Sequence, residues 1–151
     1  MFVKIKRQTF LIFFHTSSFN MSSSRIEMQQ TAKSQNLSSP YYLHLGENSG
    51  MVLVSPQLNE NNFHSWQRAM KRALLSKNKL KFVDGSIEAP SKTDALYEAW
   101  ERCNVMVIAW ITRSMSNQIA QSVIYIDDAK ELWKDYKKGT PKEVTSRNTF
   151  H

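Results

Sequence analysis

Tyr125-Ile126-Asp127-Asp128 is the group of residues that most suggests chemistry. Reverse transcriptases carry Tyr-x-Asp-Asp, where paired carboxylates hold catalytic Mg²⁺. That chemistry needs the aspartates on a β-hairpin, a third carboxylate from another strand, and a palm far longer than the rest of this chain. Only 23 residues follow Asp128 in the 151-residue sequence, and they begin with a helical pattern. Asp127 or Asp128 as a helix N-cap, with Glu131 completing a capping box on Asp128, explains the same letters. Val83-Asp84-Gly85-Ser86 has the wrong order for an aspartic protease loop and no flanking β pattern, so it reads as a turn. The single cysteine, Cys103, lies on an apolar stripe between Trp100 and Val107 with no histidine nearby. It reads as a small buried hydrophobe, and one cysteine permits neither an internal disulfide nor a Cys-rich zinc site. His44 and His64 do not form a metal-ligand set. Gly46, Gly50, Gly85 and Gly139 make no phosphate loop. The residues support no enzyme, metal site or cofactor.

Charge is the remaining candidate. The formal net charge is +7. Residues 1–26 hold Lys4, Lys6, Arg7 and Arg25 and no acid; Asn61 to Val83 holds six cations and again no acid. Asp84 to Asp135 carries nine carboxylates. Such a balance favours a polyanionic partner and says little about fold. The candidate nucleic-acid contacts are Arg68, Lys71, Arg72, Lys77, Lys79 and Lys81. Arg68, Lys71 and Arg72, at i, i+3 and i+4, share a helix face that could neutralise phosphates without reading bases. A solvated helix face, its last cations complementing the helix dipole, is the commoner explanation. Trp66, Trp100, Trp110 and Trp133 could stack on bases, but they lie on inward stripes and read as core.

The elements that must position these residues are helical. Phe63, Trp66, Met70, Ala73 and Leu74 form one amphipathic stripe, with Asn61 or Asn62 as N-cap and an end near Lys77-Asn78. KLKFVDGSIEAPS follows as a connection. Leu96, Trp100, Cys103, Val107 and Trp110 mark the longest helix, expected from Asp94 to Met115 behind a Ser91-x-x-Asp94 cap, about 33 Å in length. Glu98 and Arg102 are spaced to pair on its wet side. VMVIAWI (105–111) is apolar nearly all round, as in a helix surrounded by others. A short helix capped by Ser116 turns Ile119, Ala120, Val123 and Ile124 inward, and a last helix carries Leu132, Trp133 and Tyr136. Residues 41–60 read as extended, an arm that could lie across the helices. Four Gly and four Pro argue against a loop-rich β protein. The expected fold is all-α, a small bundle of about four helices with an extended N-terminal arm, a disordered N-terminus and a disordered C-terminal tail.

The ends read differently. Phe10 to Phe14 is too short for a secretory apolar region of about 7–15 residues. An organellar presequence fits the acid-free composition better, and upstream translated sequence ahead of Met21 is simpler still. No run approaches 18 apolar residues, so no membrane span is expected. Residues 21–40, rich in Ser, Gln, Thr and Asn, read as disordered.

SPYYLHLGENSGMVLVSPQLNENNFHSWQRAMKRALLSKNKLKFVDGSI (39–87) resembles the N-terminal module of copia-type retrotransposon Gag polyproteins, common in plants. LYEAWERCNVMVIAWITRSMSNQIAQSVIYIDDAKELWKDY (96–136) is similar to the start of the adjoining capsid-type helical region. The anchors are YYLH, the LN-x-x-N-F-x-x-W-x-RAM run, KNKL, DGS, AWERCN and ELW. Departures include Glu60 and Lys81 at positions usually Gly, and Leu45 and Ser49 at positions usually Pro. The resemblance implies a leader over 1–38, the Gag module over 39–88, the truncated start of the capsid-type region over 89–138, and an unrelated tail over 139–151. It also implies a non-enzymatic, cytoplasmic structural protein whose partners are copies of itself or full-length Gag, and element RNA in second place. A membrane or a small-molecule substrate is not expected. The family's zinc knuckle comes later in the polyprotein, and Cys103 cannot supply it. The expected packing residues are Phe63, Trp66, Met70, Leu74, Leu96, Trp100, Cys103, Val107, Trp110, Leu132 and Trp133. Without the helices that normally follow, VMVIAWI is expected to keep an apolar face exposed.

Overall fold

The computed structural model describes residues 21–29, 31–32 and 34–138. Residues 1–20 of the leader expected over 1–38, and the unrelated tail expected over 139–151, fall outside the described residues.

Six helices and no strand occur among the described residues. The first, α1, is helical at 21–29, 31–32 and 34–35, where the composition predicts disorder. It is a local helix: Glu27, Met28, Gln29 and Ala32 favour the conformation, the Ser24, Thr31 and Ser34 hydroxyls donate back to carbonyls three or four residues earlier, and no described side chain of it is buried. The remaining helices are α2 (Phe63–Ser76), α3 (Lys81–Asp84), α4 (Tyr97–Arg113), α5 (Asn117–Ser122) and α6 (Ala129–Lys138).

α2 follows its apolar stripe, burying Trp66, Met70 and Leu74 with Phe63 half-buried. Asn62 stands at its N-cap, but the side chain serves the preceding turn: Oδ1 accepts from the Asn59 N–H at 2.8 Å and Nδ2 donates to the Gln57 carbonyl at 2.9 Å. The helix ends in a Schellman reversal. Asn78 adopts the left-handed conformation at φ 56°, its N–H reaching the Leu75 carbonyl at 3.0 Å, while the Lys79 N–H reaches that of Leu74 at 2.8 Å. The connection expected next winds instead into the single turn α3, because Phe82 and Val83 can both be buried that way. Gly85 closes it at φ 89°, where any side chain would be strained and a Cβ would meet Lys130 Cε of α6 at 3.3 Å.

α4 starts three residues later than expected. The predicted Ser91 cap does not form; Asp94 Oδ1 instead accepts from the Leu96 N–H at 2.8 Å, a local turn ahead of the helix. The predicted Glu98–Arg102 ion pair is also absent among the described residues. Ser116 occupies the N-cap of α5 without a side-chain bond. Val123 is buried and Ile119 and Ala120 are half-buried, but Ile124 is 69% exposed rather than inward. α5 stops at Ser122, so the helical phase that would have turned Ile124 toward the core is broken.

The core is one cluster in which α2, α4 and α6 meet, roofed by residues 38–58. Trp66, Trp100, Trp110 and Trp133 are all buried within it. Tyr136 joins α6 to α2, its ring 5.4 Å from Phe63, 5.4 Å from Trp66 and 5.0 Å from Trp133. Truncating a buried aromatic of this kind costs about 3–5 kcal/mol. On the inward side of α4 Val107, Trp110 and Ile111 are wholly buried, with the arm bonded to the Trp110 indole. Residual exposure on VMVIAWI is therefore narrower than a whole face. Val105 is 57% exposed, while Met106, Ile108 and Ala109 are half-buried.

Candidate functional site

The arm is held by side chains that reach its backbone, because it forms no ladder of its own. Ser114, at the end of α4 and fully buried, is the hub. Its Oγ accepts from the Leu53 and Val54 N–H groups at 3.0 and 3.3 Å. Its carbonyl takes the Trp66 indole N–H at 2.7 Å and the Leu58 N–H at 2.9 Å. Leu58 and Met115 form an isolated parallel bridge, closed by the Ser116 N–H on the Leu58 carbonyl. The Trp110 indole donates to the Asn48 carbonyl at 2.9 Å. Each bond removes a buried donor that would otherwise cost about 1–3 kcal/mol.

The basic run divides at the Schellman reversal. Arg68, Lys71 and Arg72 are exposed on the outer face of α2, and Lys81 is exposed on α3. Lys77 and Lys79, expected beside them as phosphate contacts, turn instead toward the arm, Lys77 half-buried and Lys79 buried. Lys77 Nζ bonds Glu47 Oε1 at 2.9 Å and stands 5.0 Å from the Trp110 ring centroid. Lys79 is only 1% exposed; its Nζ donates to the Tyr42 carbonyl at 2.6 Å and to the Lys77 carbonyl at 3.4 Å. The physical reason is the left-handed Asn78, which turns the chain back so that Lys79 points under the arm. Burial pushes the Lys79 ammonium below its ordinary pKa, partly offset by Glu47. Burial opposes the Glu47 charge, yet bonding from Lys77 and from the His44 N–H, with the fields of Lys77 and Lys79, holds its carboxyl below the usual value.

Cys103 lies beneath the same arm, its thiol 3.3 Å from the Tyr41 carbonyl, and burial pushes its pKa up to about 11. A thiol so raised is a poor nucleophile. Burial likewise raises Tyr41 and, strongly, Tyr136. The Tyr136 hydroxyl is buried with no hydrogen-bond partner among the described residues, and nearby Gln67 only tempers the rise.

The Tyr125–Asp128 stretch does helix work. Asp128 Oδ1 accepts from the Lys130 and Glu131 N–H groups at 2.8 and 3.0 Å, capping α6. Asn104, buried on α4 and not singled out by sequence reasoning, completes the cap: Oδ1 accepts from the Ala129 N–H at 2.8 Å and Nδ2 donates to the Asp127 carbonyl at 2.7 Å. An amide on an otherwise apolar stripe was the signal available for it. Asp84 Oδ1 accepts from the Ser86 N–H at 2.8 Å, an Asx turn. Among the described residues no three His, Cys, Asp or Glu gather as a metal site, and no helix is long and apolar enough to cross a membrane.

Of the expected packing residues, Trp66, Met70, Leu74, Trp100, Cys103, Val107, Trp110, Leu132 and Trp133 are buried, and Phe63 and Leu96 are half-buried. What the arrangement offers, then, is an arm-braced helical scaffold with two outward features: the cationic face of α2 and the apolar opening at Val105. Residues 44–91 match the family model described as the Gag-polypeptide of LTR copia-type. That match, over 44–91, supports a copia-type Gag-derived protein. The match takes in the Gag arm from His44, α2 and α3, and stops before α4. No curated protein and no solved structure matches the chain. A Gag polypeptide is a structural, non-catalytic component, in keeping with the scaffold described.

Proposed function

We propose that this Gag-derived protein acts by self-association, as a subunit of a capsid-type assembly, its partners being further copies or full-length Gag in the cytoplasm. One observation carries the reading: α4 presents Val105 at 57% exposure among half-buried Met106, Ile108 and Ala109. The Asn104–Asp127 bond ties the turn that precedes Asp127 to α4, and that turn exposes Ile124 at 69% and Tyr125 at 73%. An apolar patch with acidic neighbours suits a protein contact. Sedimentation velocity of the full chain over a rising concentration series tests it. Growth of larger species, suppressed by Val105→Asp, is expected; a strictly monomeric chain at every concentration would refute the proposal.

A second reading, RNA contact, draws support from Arg68, Lys71 and Arg72, which are exposed and carry no ion pair among the described residues. On that reading three phosphate contacts at most are available on α2, so binding is weak, with a log–log salt slope of only about −2. A filter-binding titration at two salt concentrations decides it, with salt-insensitive or absent binding excluding RNA as the partner.

A further inference from the structure

Resting on the self-association reading, we infer that the α4 surface is met by the cationic face of α2 from a second copy, in a head-to-tail contact of opposite charges. α2 exposes Arg68, Lys71, Arg72 and Leu75, the last at 64%. α4 exposes Glu98, Glu101 and Val105, with Arg102 on the same turn tempering the acidic side. Both stripes run at i, i+3 and i+7: positions 68, 71 and 75 on one helix, 98, 101 and 105 on the other. Two helices approaching in parallel therefore bring Arg68 to Glu98, Lys71 to Glu101 and Leu75 to Val105 in a single register. The charges are free for such use. Among the described residues the one ion pair is Lys77–Glu47, and Glu101 has only the Tyr97 hydroxyl at 3.4 Å.

The two faces cannot satisfy each other within one chain. α2 and α4 bury their opposite sides, Trp66, Met70 and Leu74 against Cys103, Val107 and Trp110, in the same cluster, so their polar faces look outward from it. A contact between unlike patches is heterologous, leaving one patch of each kind free at either end to continue the chain of subunits. A single helix-on-helix stripe falls well short of the ~1,200 Å² at the lower end of stable interfaces. Each contact is accordingly weak, salt-sensitive and strengthened by repetition.

Charge exchange tests the register in the full chain, followed by sedimentation velocity at low and high salt. Arg68→Glu with Lys71→Glu, or Glu98→Lys with Glu101→Lys, is expected to weaken association about tenfold at low salt. Combining all four substitutions restores it, as does an equimolar mixture of the two doubly substituted chains. All four positions are exposed, and an unchanged thermal melt establishes that each variant folds. If the wild type associates and both double variants do so equally well, this contact is wrong while self-association stands. A monomeric wild type overturns both. Loss without rescue in the fourfold variant shows that the faces do not meet, and loss of RNA binding with association intact assigns α2 to RNA instead.

Discussion

Arg68, Lys71 and Arg72 belong to the same unbroken run of positive charge as Lys77 and Lys79, yet the two groups have opposite fates. The first three stand in water on α2. The last two brace the arm: Lys77 through Glu47 and the Trp110 ring, Lys79 through the Tyr42 carbonyl with its ammonium buried. What separates them is one left-handed residue, Asn78, and the reversal it closes. The difference teaches that a cationic run is not one functional unit. Net charge reports what a partner could feel at a distance, whereas a backbone reversal decides which cations a partner can touch.

The sharpest way to break that comparison is to remove the internal cation. Lys79→Ala empties its volume and strips the Tyr42 carbonyl of its donor, so a loss of about 2–4 kcal/mol is expected in urea unfolding. Lys79→Met keeps the volume and sheds the ammonium's desolvation, so it should cost about 1 kcal/mol or less. Equal losses in the two variants would mean that the charge, rather than the packing, holds the arm.

Next in size is a pH effect at the neighbouring thiol. Cys103 is raised from 9.0 to about 11, so over that interval the unfolded chain gives up a proton that the folded chain keeps. Stability therefore falls as pH climbs from 9 to 11, by about 2–3 kcal/mol across the full interval. Lys79, lowered by burial, acts in the opposite sense below its ordinary 10.5, because there the unfolded chain holds the extra proton. The difference between the wild type and Cys103→Ala in denaturant midpoint across this range isolates the thiol. Parallel profiles would show that the thiol is not sealed beneath the arm.

A smaller effect lies at the acid end. Glu47 is held below its usual 4.5, so its contribution is present above that value and disappears as pH falls through the lowered one. Glu47→Gln should cost under about 1 kcal/mol at neutral pH and remove that acid-side loss, as followed by thermal melts from pH 6 to 3. Smallest of all, Arg68→Ala, Lys71→Ala and Arg72→Ala should each move stability by no more than about 0.5 kcal/mol. A larger shift in any of them would place the outer cations in the fold's own stabilisation and blunt the contrast with Lys79.

The helical scaffold was legible because burial leaves a period. Trp66, Met70 and Leu74, then Trp100, Cys103, Val107 and Trp110, recur at helical spacing, and all are buried. Asp128 was legible for a similarly local reason: a carboxylate ahead of a helix finds the first free N–H groups, and it does. Ser91 and Asn62 looked like equivalent caps, but their local turns offered other partners. Ser114 and Asn104 were invisible as a hub and a clamp, since their partners lie 60 and 25 residues away in sequence. Nothing in the letters near a serine says that an extended arm will return to it.

Amino-acid order alone determined the helical class, the membership of the core and the copia-type Gag resemblance, because spacing and residue type act over a few turns of chain. Tertiary structure decided where the arm runs, which cations face water and how much of α4 stays bare. Those outcomes depend on distant backbone groups competing for the same buried donors and acceptors, and such a competition is resolved only when the chain closes on itself.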